Sequence, residues 1–338
     1  MKNGRFKVAV ALNKAMARSI LSAEDYSFLK SFAEVNPVDD LPETMTIPFM
    51  ETILEDAEAC VTCWGTPGLT DEMLANAPKL RLIAHAAGSV KALVPDSFWE
   101  TGCRITSNAP VIAEDVAQTV LAFILCSFKG LWRHSRFTQS GGWGGGKSGF
   151  AARRLDGLFV GIVGASNTGR ETAKILKPFG CKIKLYDPYA SPMEAESIGA
   201  ELTGLSDLLA TCDVVSLHAP ATEECRRLID GNTAPLFKDG ALFINTARGM
   251  LVDEAALVRE LERGRIFACI DVTDPEPPAE DHPFRKLENV ILTPHIAGGQ
   301  TVNGRLMLGR SSVNEIYGYL HKGVLKYEVR REMMERMA

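Results

Sequence analysis

Short apolar runs alternate with segments of helical periodicity along most of the chain. In the first hundred residues, the apolar runs predict strands and the segments between them predict helices. The predicted strands are 7–12, 59–64, 80–87 and 103–107, and the predicted helices are 23–33, 69–77 and 95–101, with Thr70 as the N-cap of the second helix. Because strands that alternate with helices form parallel sheets, this part of the chain is predicted to be an α/β domain.

The same alternation returns between residues 158 and 293. The predicted strands are 158–163, 182–186, 214–218, 241–246, 266–272 and 290–293, and the predicted helices are 170–179, 205–211 and 253–263. Asp253 is a suitable N-cap for the last of these helices, and Gly264 is suited to end it. The sequence therefore predicts a second α/β domain.

Two long helices are predicted outside these alternating regions, at 111–138 and at 301–320. Pro110 marks the point before the first helix where the chain is expected to cross from the first domain to the second. Proline disfavours helix in the preceding residue and can begin the next helix. The second helix is expected to finish the chain and to return to the first domain. Five of the six residues from 141 to 146 are glycine, around Trp143. This segment suits a plain linker and, equally, an arm that packs on a partner subunit through Trp143 and Phe137.

A glycine turn links the strand at 158–163 to the following helix. Gly164 allows a sharp turn, Gly169 allows the helix to approach the strand, and the helix N-terminus offers N–H groups to a pyrophosphate. Asp187 ends the next strand, 23 residues after Gly164, where a dinucleotide-binding fold places the acid that binds ribose hydroxyls. The strand, turn and acid together predict a dinucleotide site, although a purely structural glycine turn remains an alternative.

Ser166 stands where this pattern has its second glycine. Either its hydroxyl contacts the pyrophosphate, or the dinucleotide lies further out and binds more weakly. A phosphate-binding P-loop is disfavoured, because Arg170 and Glu171 replace the Lys-Ser/Thr pair that this motif requires.

Charge and composition exclude several other classes of protein. The net charge is −5 without a basic stripe, which argues against nucleic acid as the main ligand. The longest nearly apolar run, 116–128, is too short to span a bilayer, and the chain starts with a short polar segment rather than an apolar leader. We therefore expect a cytoplasmic protein that binds no membrane. The eight cysteines are scattered, and Cys60 and Cys63 are predicted to point to opposite faces of one strand, which argues against a redox or metal role.

Three chemically distinctive side chains follow strands of the second domain. Arg248 follows the strand at 241–246, Glu276 lies in the loop after Asp271, and His295 follows the strand at 290–293. The carboxyl ends of parallel strands meet at one edge of a sheet, where ligands bind. This set suits reversible hydride transfer to a 2-oxo acid: a guanidinium pairs with the carboxylate, a histidine supplies the proton, a carboxylate fixes the histidine tautomer, and a dinucleotide supplies the hydride.

Each of these residues also has a purely structural interpretation, and their joint occurrence carries the prediction. His218, which precedes Pro220, is expected to shape the nucleotide pocket rather than to carry the proton. His85 is a weaker candidate for a substrate contact. The remaining histidines are expected to be solvated: His134, His282 and His321.

Four segments of the second domain, in order, resemble the D-isomer-specific 2-hydroxyacid dehydrogenases. They are 217–220 (LHAP), 245–254 (NTARGMLVDE), 271–277 (DVTDPEP) and 289–296 (NVILTPHI). The resemblance is looser over the first hundred residues. It implies two doubly wound parallel-sheet α/β domains, with a Rossmann-type NAD-binding domain at 109–295 inserted into a flavodoxin-like substrate domain at 1–108 and 296–338.

The resemblance also implies a cofactor, site residues and an assembly. His295 and Glu276 would form the acid–base pair, and Arg248 would bind the substrate. Backbone N–H groups of the loop at Ala87, Gly88 and Ser89 would hold the substrate carboxylate, and the helix and arm at 110–150 would form a homodimer. NAD is preferred to NADP, because Asp187 would repel a 2′-phosphate. The residues expected at the cofactor are Gly164, Ser166, Asn167, Thr168, Gly169, Asp187, His218, Ala219, Pro220, Thr246, Ala247, Asp271 and Gly298.

Three departures from the family pattern bear on the function. Ser166 replaces a glycine, the segment 88–92 does not follow the usual substrate-loop pattern, and Thr273 stands where an aromatic residue is common. Formate dehydrogenases are disfavoured, because they have glutamine in place of Glu276. The favoured hypothesis is an NAD-dependent D-2-hydroxyacid dehydrogenase. The alternatives are a non-catalytic NAD(H) sensor resembling a corepressor and, with less support, a Rossmann methyltransferase.

Overall fold

The structure, a computed structural model, describes residues 5–144 and 152–336. The chain divides into two compact units, Met1–Ile112 with Gly299–Ala338, and Ala113–Gly298. Gly145 and Gly146 of the glycine-rich segment lie outside the described residues.

A parallel sheet forms the centre of the first unit. Its strands are β1 (Phe6–Val10), β2 (Ala33–Val35), β3 (Ala59–Thr62), β4 (Leu82–His85) and β5 (Arg104–Ser107). They lie in the order β2-β1-β3-β4-β5, the order of a flavodoxin-like sheet. The four predicted strands are confirmed, and the three-residue strand β2 was not predicted.

Four helices precede β5 in the first unit. They are α1 (Lys14–Ile20), α2 (Ala23–Phe32), α3 (Ile47–Leu54) and α4 (Asp71–Asn76). The predictions of α2 and α4 are confirmed, and the Thr70 side chain caps α4 by accepting from the N–H of Met73. The helix expected at 95–101 is a short 3-10 turn, Asp96–Glu100.

The two thiols of the 60–63 motif lie on opposite faces of the first sheet, as predicted. Cys60 and Cys63 belong to different core clusters. Burial raises the pKa of each thiol to about 12, so both remain protonated at neutral pH. Neither thiol has the exposed thiolate that redox chemistry requires.

The prediction of a single long helix at 111–138 is wrong. Two helices are present, α5 (Ala109–Phe128) and α6 (Leu131–Gln139). They are separated at Gly130, whose left-handed backbone, with φ of 64°, cannot continue a helix. Within the described residues, α5 is the one helix long and apolar enough to cross a membrane. The core helices of globular proteins can meet the same criteria, and seven side chains of α5 are buried.

A second parallel sheet forms the centre of the second unit. Its strands are β6 (Phe159–Val163), β7 (Lys182–Tyr186), β8 (Ala200–Leu202), β9 (Val214–Leu217), β10 (Leu242–Asn245), β11 (Phe267–Ile270) and β12 (Val290–Leu292). The order β8-β7-β6-β9-β10-β11-β12 is the Rossmann order with one further strand. The order reverses between β6 and β9, so a crevice opens there at the carboxyl ends of the strands.

Four α-helices in the described part of the second unit lie between these strands in the sequence. They are α7 (Asn167–Leu176), α8 (Pro192–Ser197), α9 (Leu205–Thr211) and α10 (Glu254–Glu262). The predictions of α9 and α10 are confirmed, including the cap by Asp253, which accepts from the N–H of Ala256. α7 begins at Asn167, three residues before its predicted start, which places Asn167 and Thr168 in its first turn.

The final segment belongs to the first unit. α11 (Val302–Lys322) ends at Gly323, which is left-handed. The prediction that this helix finishes the chain is wrong, because β13 (Glu328–Val329) follows and pairs antiparallel with β5. Gly309 lets α11 approach α1, because a Cβ there would lie 1.9 Å from the carbonyl oxygen of Ile20.

Candidate active site

The glycine turn after β6 depends on two residues without side chains. Gly164 has a φ of +103°, and a Cβ at this position would lie 2.7 Å from the backbone nitrogen of Ala219. A Cβ on Gly169 would lie 2.1 Å from the carbonyl oxygen of Gly164. These are the two functions that the sequence assigned to Gly164 and Gly169. The turn brings the start of α7 to the carboxyl end of β6.

Ser166 has a structural function that the sequence interpretation missed. It is the N-cap of α7, and its Oγ accepts a hydrogen bond from the N–H of Gly169 at 3.3 Å. Its φ of −62° and ψ of 173° are extended values that any residue adopts, so the backbone does not require glycine here. The first N–H groups of a helix have no partners within the helix, so those of Asn167 and Thr168 remain for an anion. The missed signal was a serine directly before a helix start.

Asp187 lies beside this turn at the end of β7. Its Oδ2 accepts from the N–H of Ala165 at 2.7 Å, and its Oδ1 accepts from the N–H of Tyr189 at 2.8 Å. A carboxylate has about four acceptor positions, so two remain for ribose hydroxyls. The two backbone contacts fix the orientation of the carboxylate.

Three buried polar atoms near the ends of β9 and β10 have no hydrogen-bond partner among the described residues. They are Nε2 of His218, Oγ1 of Thr222 and Oγ1 of Thr246. Burial lowers the pKa of His218 to about 3, so this imidazole is neutral. Because buried polar atoms are nearly always paired, unpaired atoms that follow two neighbouring strands suit a polar ligand. His218 also adjoins Ala219, which packs on Gly164.

The predicted acid–base pair is within hydrogen-bond distance. Nδ1 of His295 lies 2.9 Å from Oε2 of Glu276, and both side chains are partly exposed. The other oxygen of Glu276 accepts from the N–H of Thr273 at 3.3 Å. A carboxylate at Nδ1 holds the proton on that nitrogen, and no described residue hydrogen-bonds Nε2, so Nε2 can meet a substrate.

The backbone at His295 is left-handed, with a φ of 53°, which is unusual for a residue other than glycine. The buried Asp271 holds the loop that carries it. Oδ1 of Asp271 accepts from the N–H of Ile296 and from Oγ1 of Thr293, at 2.9 and 2.6 Å, and its Oδ2 accepts from the N–H of Ala297 at 2.9 Å. Asp271 was predicted as a cofactor residue, and its organisation of this loop was not predicted.

Arg248 follows β10 and is held by its neighbours. Its carbonyl oxygen accepts from Nδ2 of Asn245 at 3.0 Å, and its Nη1 donates to the carbonyl oxygen of Ala247 at 2.6 Å. Burial lowers the pKa of Arg248, and the negative charge of Glu276 acts in the opposite direction. A partly desolvated guanidinium interacts strongly with a ligand carboxylate.

Gly249 allows the segment of Arg248 to pack against the loop of Glu276. A Cβ on Gly249 would lie 2.1 Å from the carbonyl carbon of Thr273 and 2.5 Å from the backbone nitrogen of Asp274. The end of β10 and the loop after β11 are therefore in direct backbone contact. The second unit alone thus brings together Arg248, Glu276 and His295.

The predicted substrate loop lies in the first unit. The carbonyl oxygen of Ala87 accepts from the N–H of Asn108 at 2.9 Å, and that of Gly88 accepts from the hydroxyl of Ser107. Oγ of Ser89 accepts from the N–H of Lys91 at 3.4 Å. The structure gives the internal bonds of this loop, and its substrate role stays a prediction.

Two histidines outside the acid–base pair are held by polar partners. His85 is buried, its Nδ1 lies 2.9 Å from Oγ1 of Thr62, and burial lowers its pKa to about 4. His282 was expected to be solvated, and this was wrong: its side chain is 19% exposed and its Nε2 lies 3.0 Å from Oε2 of Glu254. That contact joins residues distant in sequence, which no local pattern indicates.

The second unit combines a Rossmann strand order, a glycine turn at a helix N-terminus and an acid at the end of the next strand. These features define a dinucleotide-binding protein of the Rossmann class. The family model for the NAD binding domain of the D-isomer specific 2-hydroxyacid dehydrogenases matches residues 121–297.

Curated relatives and solved structures agree with this match. The chain is 31% identical to a glyoxylate reductase of Aeropyrum pernix, over 85% of this chain and 88% of the relative. It is 32% identical to a D-3-phosphoglycerate dehydrogenase of Archaeoglobus fulgidus, over 72% of this chain and 46% of the relative, so it spans about half of that protein. A phosphoglycerate oxidoreductase from Rhizobium etli superposes with a TM-score of 0.80 and 26% identity, covering 96% of this chain and 99% of that chain.

The chain therefore belongs to the D-isomer-specific 2-hydroxyacid dehydrogenase family. Its second unit contains the NAD-binding domain of that family, which confirms the predicted cofactor. The predicted class of fold, two α/β domains with parallel sheets, is confirmed as well.

Proposed function

We propose that the protein is an NAD-dependent oxidoreductase that interconverts a D-2-hydroxy acid and a 2-oxo acid. The observation that supports this most strongly is the 2.9 Å contact between His295 and Glu276 in the same unit as the partly desolvated Arg248. When bound, NADH supplies the hydride for reduction of the carbonyl group.

In this proposal His295 supplies the proton. Nε2 of His295 donates its proton to the carbonyl oxygen, which gains negative charge during the reduction. Glu276 accepts the hydrogen bond from Nδ1, which fixes the ring and stabilises the imidazolium before the transfer. In the oxidation direction, the same nitrogen removes the proton of the hydroxyl group.

Arg248 binds the substrate. Its planar guanidinium has parallel N–H donors that match a carboxylate or a carboxylate–carbonyl pair. The backbone of Ala87, Gly88 and Ser89 stays our proposal for further donors to the substrate carboxylate.

Several residues of the second unit are proposed to hold NAD. Asp187 binds ribose hydroxyls, and the N–H groups of Asn167 and Thr168 bind the pyrophosphate. The unpaired atoms of His218 and Thr246 support a polar contact in the same crevice. The proposed set also includes Ala219, Pro220, Ala247, Asp271 and Gly298.

We also propose a homodimer formed through the helix and arm at 110–150, in a cytoplasmic protein. Exposed apolar side chains support the dimer: Leu131 is 53% exposed and Trp143 is 83% exposed. All eight cysteines are free, which suits a reducing compartment. Size measurement in solution tests the dimer, and a monomeric species would contradict it.

An enzymatic assay tests the proposed activity. Purified protein is mixed with NADH and a panel of glyoxylate, hydroxypyruvate and larger 2-oxo acids, and the loss of NADH absorbance is followed. We expect reduction of at least one member of the panel, and loss of most of that rate in His295→Ala, by about 10²–10⁴-fold. Tight NADH binding without reduction of any member would contradict the proposal and favour the sensor hypothesis.

A further inference from the structure

One carboxylate outside the predicted site closes the loop that carries Glu276. Glu254 is the first residue of α10, directly after the N-cap. Its Oε1 accepts from the N–H of Asp274 at 3.0 Å, and its Oε2 lies 3.0 Å from Nε2 of His282. The two partners stand before and after Glu276 in the sequence, so a single side chain joins both ends of the loop.

The bond between Glu254 and His282 has a defined direction. Nδ1 of His282 accepts from the backbone N–H of Phe284 at 3.2 Å, so this nitrogen carries no hydrogen. The ring hydrogen is therefore on Nε2 and points at Glu254. The ring also packs edge-on against Phe284, with centroids 4.6 Å apart.

Both side chains of this contact are largely buried. The Glu254 side chain is 15% exposed and that of His282 is 19% exposed. Burial raises the pKa of Glu254, and the hydrogen bonds from Asp274 and His282 act in the opposite direction. The nearby charged groups are Asp274, which adds a like charge, and Arg226, which interacts with Asp274. Removing either partner leaves a buried polar group unsatisfied, which costs more than the bond itself contributes.

The loop between Asp274 and His282 contains no helix or strand, so its position depends on such anchors. Arg285 braces its middle by donating to the carbonyl oxygens of Pro278 and Ala279, both at 2.9 Å. Glu254 fixes its two ends to the start of α10, which follows the segment of Arg248. The loop that carries Glu276 is thus held by contacts beyond those that Glu276 and His295 make themselves.

We propose that Glu254 and His282 form a positioning pair for the acid–base residues. They hold the loop so that the Glu276 carboxylate stays at hydrogen-bond distance from Nδ1 of His295. Glu254 touches neither substrate nor cofactor in this role. The inference rests on the proposed function, and a readout that needs no activity separates the two.

The test uses a double-mutant cycle. Glu254→Ala is made in the native chain and in Glu276→Gln, and Glu262→Gln, an exposed change on the same helix, is the matched control. His282→Ala and His282→Gln test the second partner, because glutamine can still donate to Glu254. In each protein, without NADH, the NMR signals of the His295 ring are recorded at one pH, with assignment by His295→Ala.

Loss or displacement of Glu276 removes the hydrogen-bond partner of Nδ1 of His295, so it changes the NMR signals of this ring. We expect Glu254→Ala to produce part of the change seen in Glu276→Gln, and to add nothing in the Glu276→Gln background. We expect Glu262→Gln to match the native chain, and His282→Gln to be closer to it than His282→Ala. Where reduction is measured, kcat should fall on the order of tenfold in Glu254→Ala, with NADH affinity unchanged.

Two results would overturn the positioning role. One is that the NMR signals of the His295 ring are native in both Glu254→Ala and His282→Ala. The other is an equal shift whether or not Glu276 is present, which indicates general loosening of the unit. Absence of any 2-oxoacid reduction would remove the proposed function, and the NMR signals of His295 would still decide the positioning role. If Glu254→Ala does not fold, the two His282 variants carry the test.

Discussion

The carbonyl oxygen of Asp271 accepts the backbone N–H of His295 at 2.8 Å. The carboxylate of the same aspartate accepts from the next two backbone N–H groups. One buried aspartate therefore fixes the left-handed backbone of His295. A left-handed conformation in a residue other than glycine costs on the order of 1–3 kcal/mol and persists only where its surroundings impose it. In this unit, Asp271 imposes it.

Asp271→Asn tests this arrangement, because an amide nitrogen would face backbone donors in place of a carboxylate oxygen. We expect kcat for 2-oxoacid reduction to fall about 10–100-fold, since small displacements of a reacting group are costly. The free energy of unfolding should fall by about 1–3 kcal/mol. Steady-state kinetics and denaturant unfolding measure the two effects. Asp281→Asn, at an exposed position, is the control, and native kinetics in Asp271→Asn would contradict the account.

Arg248→Lys separates the charge of Arg248 from its geometry. Lysine keeps a positive charge but lacks the parallel donors that match a carboxylate. We expect KM for the 2-oxo acid to rise and kcat to fall together in Arg248→Lys, and both changes to be larger in Arg248→Ala. Initial rates across substrate concentrations measure this. An unchanged kcat/KM in Arg248→Ala would exclude the assigned role.

Ser166 is tested by paired substitutions. Alanine removes the cap of α7 and should lower the free energy of unfolding by about 1 kcal/mol. Glycine, a better N-cap than alanine, should lower it by only a few tenths of a kcal/mol. Because Oγ already accepts from Gly169, its O–H is available to a phosphate, and we expect Ser166→Gly to weaken NADH binding several-fold. Fluorescence titration with NADH measures the affinity. Tighter binding in Ser166→Gly would instead support a displaced pyrophosphate.

The buried His85 leads us to expect that the free energy of unfolding falls in acid. Its folded pKa of about 4 lies below its ordinary value of 6.5, so the unfolded chain binds a proton over this interval and the folded chain does not. The stability is complete above the unfolded pKa and falls as the pH falls from 6.5 towards 4, by on the order of 3 kcal/mol at most. Denaturant unfolding at about pH 7.5 and about pH 5 should show a smaller difference in His85→Gln than in the native chain. Equal differences would contradict this assignment.

The alternating strands and helices were predictable because each strand is a short apolar run and the apolar residues of each helix recur with helical periodicity. The short strand β2 was not, since three residues contain too little pattern. The break at Gly130 was missed because an isolated glycine in a helical segment does not by itself indicate a left-handed backbone. The proximity of Arg248, Glu276 and His295 was predictable because each comes after a strand whose neighbours the Rossmann order determines.

The supporting contacts of the site could not be predicted in this way. Glu254 and His282 meet through the folding of a loop without regular structure, so no spacing indicates their contact. The role of Asp271 depends on backbone N–H groups, which every residue provides and which leave no mark in the sequence. The cap by Ser166 was missed because the dinucleotide pattern has a glycine at that position and therefore does not indicate an N-cap.

A double-mutant cycle over His295 and Glu276 tests the central claim, that His295 supplies the proton while Glu276 holds its ring. The kcat for 2-oxoacid reduction is measured in the native protein, in His295→Ala, in Glu276→Gln and in the double variant. The account predicts that Glu276→Gln lowers kcat in the native protein but has little further effect in His295→Ala, with NADH affinity unchanged. An equal fall in both backgrounds would contradict it.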